Sequence, residues 1–501
     1  MPITGSFASF SKNGFQSTSR GTTIVGSYWD VFEHLSGSEQ GALTRQMSYF
    51  NSNTNYLTII ARAQGADGIC VSTLDSITNG IVGNITITSG DYSYLNKIRS
   101  VENKTLSAYG LTTTILGESS FSLSPAGFTL SILNSTTQIS GNEYKLFVLG
   151  DDTSISSGNS IVGNDILTRD DGEVNIVGYS YRPGSSTYPV KPYTTVLNPF
   201  GSDLLFQKEL NWTTSSPQGE YTGVIGDGAP NPTNYFACGS VSDHLTANTF
   251  QPVITCFDYG HNLVWCKAGT TANNEQRVDI SKSENYLYLA TCESGNTSAN
   301  PSLLKIDPTT GNIVAQTTFN ITSQLGTGPT IDYLNGSLVY TITGADVPNG
   351  INYTSFVINL AEDLSINWSR TIGGNIDTLP TSAYFGTETV QFADNGAQAS
   401  YLFSGVTQQL GTTPVLPALQ TFTCRFPADG SIPGSGHYQI TSLTTPPLDL
   451  YYQEYSMGQF TGGITLTDLP GASVLDASYS LNTYTSNVAN TTQVVGSVNI
   501  G

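Results

Sequence analysis

Apolar and polar residues alternate along this chain in short runs, and the runs stop at clusters of Gly, Asn, Asp, Ser and Pro. Period-two alternation in β-branched and aromatic runs predicts half-buried strands. Helical periodicity is nearly absent. Its best candidate, 30–50, is broken by Ser36, Gly37 and Ser38, which predicts a few turns at most.

One phrase recurs at 194–210, 253–269, 303–319 and 356–373: an apolar run, a turn of Asp, Asn, Pro or Gly, and a second apolar run. In three copies an aromatic is followed two places later by a base, as Phe206 with Lys208, Trp265 with Lys267 and Trp368 with Arg370. A second recurring strand ends in a small residue at 174–180, 235–240, 286–292, 337–344 and 399–405, with earlier members at 56–62 and 111–117.

Seven units spaced roughly 50–65 residues apart therefore fall between about 46 and 440. The second is the weakest, and the third carries an insertion around Asp151–Asp171. Such a unit holds four short antiparallel strands and cannot bury its apolar face alone, so the expected fold is an all-β propeller of seven blades. The Tyr-rich stretch 448–460 would add a strand pair or part of an eighth blade. The arm 1–45 and the segment 441–501 hold strand-like stretches, 21–29 and 491–501, expected to pair and close the ring. Phe206, Trp265 and Trp368 are expected to fill the space between neighbouring blades, where burial of a large ring stabilises by ~1.5–3 kcal/mol.

Composition narrows the function. Charged residues make up 11% of the chain, beside 27 Tyr and 21 Phe, which excludes disorder. The formal charge of −20 reflects few Lys and Arg, so nothing could neutralise a row of phosphates and nucleic-acid binding is disfavoured. No apolar run approaches a membrane span, and the N-terminus does not read as a signal peptide. Cys70, Cys238, Cys256, Cys266, Cys292 and Cys424 are far apart and read as buried reduced thiols. A composition suited to the outside of cells, without an export signal, fits a virion protein assembled in the host cytoplasm. A cell-surface or extracellular protein whose signal was removed is the alternative.

The pattern of strand, Asp-x-x-Gly-type turn, strand and Trp-x-Lys over 172–373 resembles bacterial β-propeller repeats of the pyrroloquinoline-quinone-like and SBBP type, which also occur in structural proteins of marine tailed phages. Ala315 stands where the aromatic should be, and 427–440 lacks it too. The resemblance implies the propeller fold; propellers host many unrelated functions.

Motifs for chemistry are scarce. HExxH, GxSxG, a Walker-type loop, an EF-hand loop and the sialidase-type Asp box are all missing. His34, His244, His261 and His437 sit on different units without ligand spacing. The acids Asp151, Asp152, Asp170, Asp171 and Glu173 read as hairpin turns, with a Ca2+ loop as the sharper alternative. Tyr181, Tyr188 and Tyr193, with Tyr451, Tyr452 and Tyr455, lie among hydroxyls and amides, a mixture suited to gripping a sugar or a protein surface.

Together these residues predict a non-enzymatic component of a virus particle, tail-associated, present in several copies and contacting other virion proteins or a host-surface glycan or protein. No cofactor and no membrane insertion are expected. A propeller enzyme, quinone-dependent or carbohydrate-active, and a bacterial adhesion module are the alternatives.

Overall fold

The computed structural model describes 160–477, except 182–190, 199–202, 215–217, 230, 243–248, 271–274, 294–299, 322–327, 345–353, 374–382, 395–398, 410–419 and 441–447, and outside that range the strands alone. The described residues form strands and turns and no helix. The helical candidate at 30–50 is corrected at its start, which is the strand Tyr28–His34; its remainder lies outside the described residues.

Consecutive strands build seven antiparallel sheets. The first holds Tyr56–Arg62, Ile69–Asp75 and Ile81–Ser89; the second Leu95–Leu106, Gly110–Phe121, Ser124–Asn134 and Glu143–Leu149. The third holds Ser160–Thr168, Val174–Tyr181, Lys191–Asn198 and Asp203–Asn211; the fourth Gly219–Gly226, Asn234–Ser242, Phe250–Asp258 and Leu263–Gly269. The fifth holds Glu275–Lys282, Leu287–Glu293, Ser302–Ile306 and Ile313–Phe319; the sixth Thr330–Leu334, Ser337–Gly344, Thr354–Leu360 and Ile366–Gly373. The seventh takes Ala383–Asp394, Ala399–Gln409 and Gln420–Pro427, and its next strand is the N-terminal Tyr28–His34.

Each described core lies between two successive sheets. Leu167, Val177 and Leu210 of the third pack on Tyr221, Val224 and Phe257 of the fourth. Phe236 and Ile254 of the fourth meet Val278, Ile280 and Leu304 of the fifth, and Val339 and Val357 of the sixth meet Phe403 and Phe426 of the seventh. A side chain of this kind stabilises by ~1.5–3 kcal/mol when buried, and here only a neighbouring sheet buries it.

The first strands of successive sheets run next to one another from the first sheet to the seventh. In the third to sixth sheets these strands stand at the sheet edge, where side chains of the preceding first strand accept from some of their N–H groups. Val224 N–H donates to Asp165 Oδ2 at 2.9 Å, Ile331 N–H to Asp279 Oδ2 at 3.0 Å, and Tyr333 N–H to Ser281 Oγ at 2.9 Å. Bulged residues add links, with Asn164 Nδ2 donating to Tyr221 O and Thr222 Oγ1 to Val278 O. The same bulges explain the small residues of the second strands. A Cβ on Gly178 would fall 1.8 Å from Val162 O, and on Gly239 1.9 Å from Glu220 O.

The C-terminal segment forms no sheet of its own among the described residues, which corrects the eighth-blade alternative. Leu448–Glu454 pairs with the outer strand of the sixth sheet, with His437–Ile440 on its far side. Gln459–Phe460 then joins the fifth, Leu466–Asp468 the fourth, Ser473–Asp476 the third, Leu481–Tyr484 the second and Ser486–Asn490 the first. Finally Gln493–Asn499 pairs with Tyr28–His34 in the seventh. The segment thus runs back along the outer edges in reverse sheet order, and the strands near the two chain ends lie side by side.

Candidate functional site

The repeated aromatic and base occupy outer strands and do two different things. Trp265 reaches the turn of the next sheet, where its Nε1–H donates to Pro308 O at 3.2 Å and its ring lies against Gly311. Trp368 does the same between the sixth and seventh sheets, donating to Ala428 O at 3.2 Å with its ring against Gly430. Phe206 stacks at 5.9 Å on His261, which stands in the corresponding turn of the fourth sheet. All three turn residues, Gly311, Gly430 and His261, have positive φ, at 70°, 78° and 56° respectively. At Ala315 the size relation reverses, because the facing turn carries Leu364, also at positive φ and buried in the same cluster. A small outer-strand residue thus shares its cluster with a large turn residue, where Trp265 and Trp368 each lie against a glycine.

The bases hold the C-terminal segment. Lys208 contacts Asp476, Lys267 lies 2.7 Å from Asp468, and Arg370 lies 3.7 Å from Glu454, each pair directly opposite in register. In the copy without a base, Thr317 Oγ1 accepts from Gln459 Nε2 at 3.1 Å. The three acids are 79–87% exposed, so each pair contributes about 0–1 kcal/mol and sets register more than stability. These acids went unread in the sequence. The signal available was an acid at the end of a short strand-like run, as in LTD and SVLD.

The acidic turn of the third sheet gathers around a base. Asp171 and Glu173 face buried Arg169 at 2.7 and 3.6 Å, with Asp170 in the same turn. Arg169 also donates to Tyr235 Oη at 3.0 Å and lies over the Tyr259 ring at 4.3 Å, which ties the third sheet to the fourth. Burial pushes the Tyr235 phenol up to about 12, so it meets the guanidinium as a neutral acceptor. The Ca2+ alternative gains no support here: no group of three His, Cys, Asp or Glu placed to hold a metal exists among the described residues. Asp151 and Asp152 lie outside them. Turn carboxylates elsewhere cap their own turns, and bonds from Thr309 N, Ser365 Oγ and Ser431 N hold Asp307, Asp363 and Asp429 below the usual range.

Two of the tyrosines read as surface residues are fully buried. Tyr193 is 0% exposed and donates to Gln207 Oε1 at 2.9 Å; Tyr452 is 0% exposed and stacks on Phe426 at 3.8 Å. The reason is positional: Tyr193 lies on an inner strand of its sheet, and Tyr452 on a strand that caps the sixth. Tyr451 is half-buried and stacks on His437 at 4.2 Å, and Tyr455 is half-buried edge-on to Phe356. Tyr188 and the side chain of Tyr181 lie outside the described residues. Cys238, Cys256, Cys266, Cys292 and Cys424 are buried and outside any disulfide, as expected, and the side chain of Cys70 lies outside the described residues.

The two ends of the strands differ. Turns of two to seven residues join first to second and third to fourth strands in the third to sixth sheets. Acids stand in or beside most of them, among them Asp171, Asp227, Asp258, Asp307 and Asp363. Connections of five to ten residues leave the opposite end, rich in Ser, Thr, Asn and Gly; from 182 to 382 their only Lys or Arg is Arg182. No helix among the described residues is long and apolar enough to cross a membrane.

No protein-family model matches the chain, and no curated protein does. Among solved structures it is similar to "Phage phi92 endosialidase", with TM-score 0.39 and 9% identity over 88% of this chain and 76% of that one. That protein is by its name an enzyme, so the expectation of a chain without catalytic activity gains no support from it and is not carried forward. The missing motifs exclude only the reaction classes they mark.

Proposed function

We propose that the seven sheets close into a seven-bladed β-propeller of the repeat type the sequence resembles, serving as a docking or adsorption component of a virus particle. Ring closure is supported by the step from Asn490 to Gln493. These residues lie on the first and seventh sheets, and three Cα–Cα steps of ~3.8 Å span at most about 11 Å, close to the spacing of packed sheets. The N-terminal strand in the seventh sheet supports it again.

The observation that carries the docking role is the contrast between the two ends. The strands are joined by longer, nearly uncharged connections at one end and tight acidic turns at the other. Hydroxyl- and amide-rich connections suit contact with a glycan or protein surface in salt, where charge steering is screened. Several copies per particle would multiply weak individual contacts.

The test is an antibody raised against the purified chain. It should label purified particles of the virus that encodes it and block their adsorption. Particles that lack the protein by mass spectrometry would end this reading.

A further inference from the structure

We propose that the part of the C-terminal segment from 459 to 477 is a closing strap, which docks on the outer edges of sheets that are already formed and opens from them as a unit. The grounds are independent of any role in a virus particle.

The first is locality. In the third to sixth sheets all four native strands come from one continuous stretch joined by connections of two to nine residues, so each can form from near neighbours in sequence. The strap's partners are remote: Gln459 and Thr317 are 142 positions apart, Thr270 and Thr465 are 195, and Lys208 and Asp476 are 268. Contacts that close such long loops pay their entropy late.

The second ground is how little of the strap the third to fifth sheets hold. The third, fourth and fifth sheets pair four, three and two of its residues. Pairing stops short of Leu205, Val264 and Val314, the residues at the bulges of the outer hairpins. Between 459 and 476 the buried apolar side chains are Ile464, Leu466 and Leu469, set among exposed residues such as Gly463, Thr465, Thr467 and Asp468. By contrast, eight of the nine residues of Asn234–Ser242 are buried. Few buried contacts and exposed backbone pairing mark the low-stability end of a structure.

The third ground is a register built from charge. Lys208 and Lys267 each face a strap acid directly across the ladder, Asp476 and Asp468 respectively. Its departure would leave the outer strands as unpaired edges, which natural sheets cover.

Hydrogen exchange of the full chain in low denaturant, read by mass spectrometry, tests this. Amides of 459–477 should exchange through a shared opening at least about tenfold faster than those of the strands Asn234–Ser242 and Phe250–Asp258, which stay protected. The variant Asp468→Lys/Asp476→Lys, altered only at exposed strap positions, should speed exchange of 459–477 about tenfold again and leave those two strands unchanged. Equal exchange of strap and sheets in the parent overturns the proposal, as does a variant that loosens both together or neither.

Discussion

Gly311→Ala probes the contact that joins successive sheets. At φ 70° an L side chain pays roughly 1–2 kcal/mol. The new Cβ would also lie 2.8 Å from Trp265 Cε3 and Cζ3 and 2.9 Å from Lys267 Cγ. The ring is held by its bond to Pro308 O, so relief requires movement of the turn or the Trp, at a cost of about 1–3 kcal/mol. Together the two terms reach about 2–5 kcal/mol. Gly336→Ala supplies the control: its φ is 77° and nothing lies within 4 Å of the added atom, so it pays the backbone term alone. The assay is urea unfolding followed by Trp fluorescence, with midpoints compared under one protocol. In a Trp265→Ala background the Gly311→Ala penalty should shrink to that of the control. Equal losses for Gly311→Ala and Gly336→Ala in the parent chain would refute the wedge.

Other outcomes follow from the same packing. Ala315→Trp alone should destabilise by about 1–3 kcal/mol through a clash with Leu364, and Leu364→Gly alone by about 2–4 kcal/mol, while the double variant recovers at least half of the summed loss in urea midpoints. Asp165→Ala strands the donors Ser100 Oγ and Val224 N, and should cost about 2–4 kcal/mol in the same assay. Burial lowers the His261 pKa to about 4, with nearby Asp258 opposing the shift. A depressed pKa on a base means the unfolded chain binds the proton first, so this contribution is whole above pH ~6.5 and is lost as pH falls toward about 4. Over that window it amounts to about 3 kcal/mol. His261→Asn, which tolerates the positive φ, should flatten that part of the stability–pH curve; an unchanged slope would show that His261 does not set it.

The repeated phrase made the sheets legible because each outer hairpin repeats its turn and its wedge. The partner of each wedge was harder to see, since it stands in the following unit: Gly311 and Gly430 read as ordinary turn glycines, and their second duty is to leave room for an indole. Ala315 looked like a lapse in the motif, yet Leu364 fills the same gap from the other side. The middle of the strap, 466–476, is hard to read for a different reason. Ladders of two to four residues are too short to show alternation, and Asp468 or Asp476 gains meaning only beside Lys267 or Lys208. Tyr193 and Tyr452 misled because hydroxyl-rich surroundings look alike on an exposed loop and on a covered strand.

An electron cryomicroscopy reconstruction of the purified full chain tests ring closure most directly. A closed propeller predicts seven radial sheets around an axis, with the first and seventh in contact and a continuous ribbon of density around the rim. An open arc, separate lobes, or sheets stacked as a two-layer sandwich would contradict it.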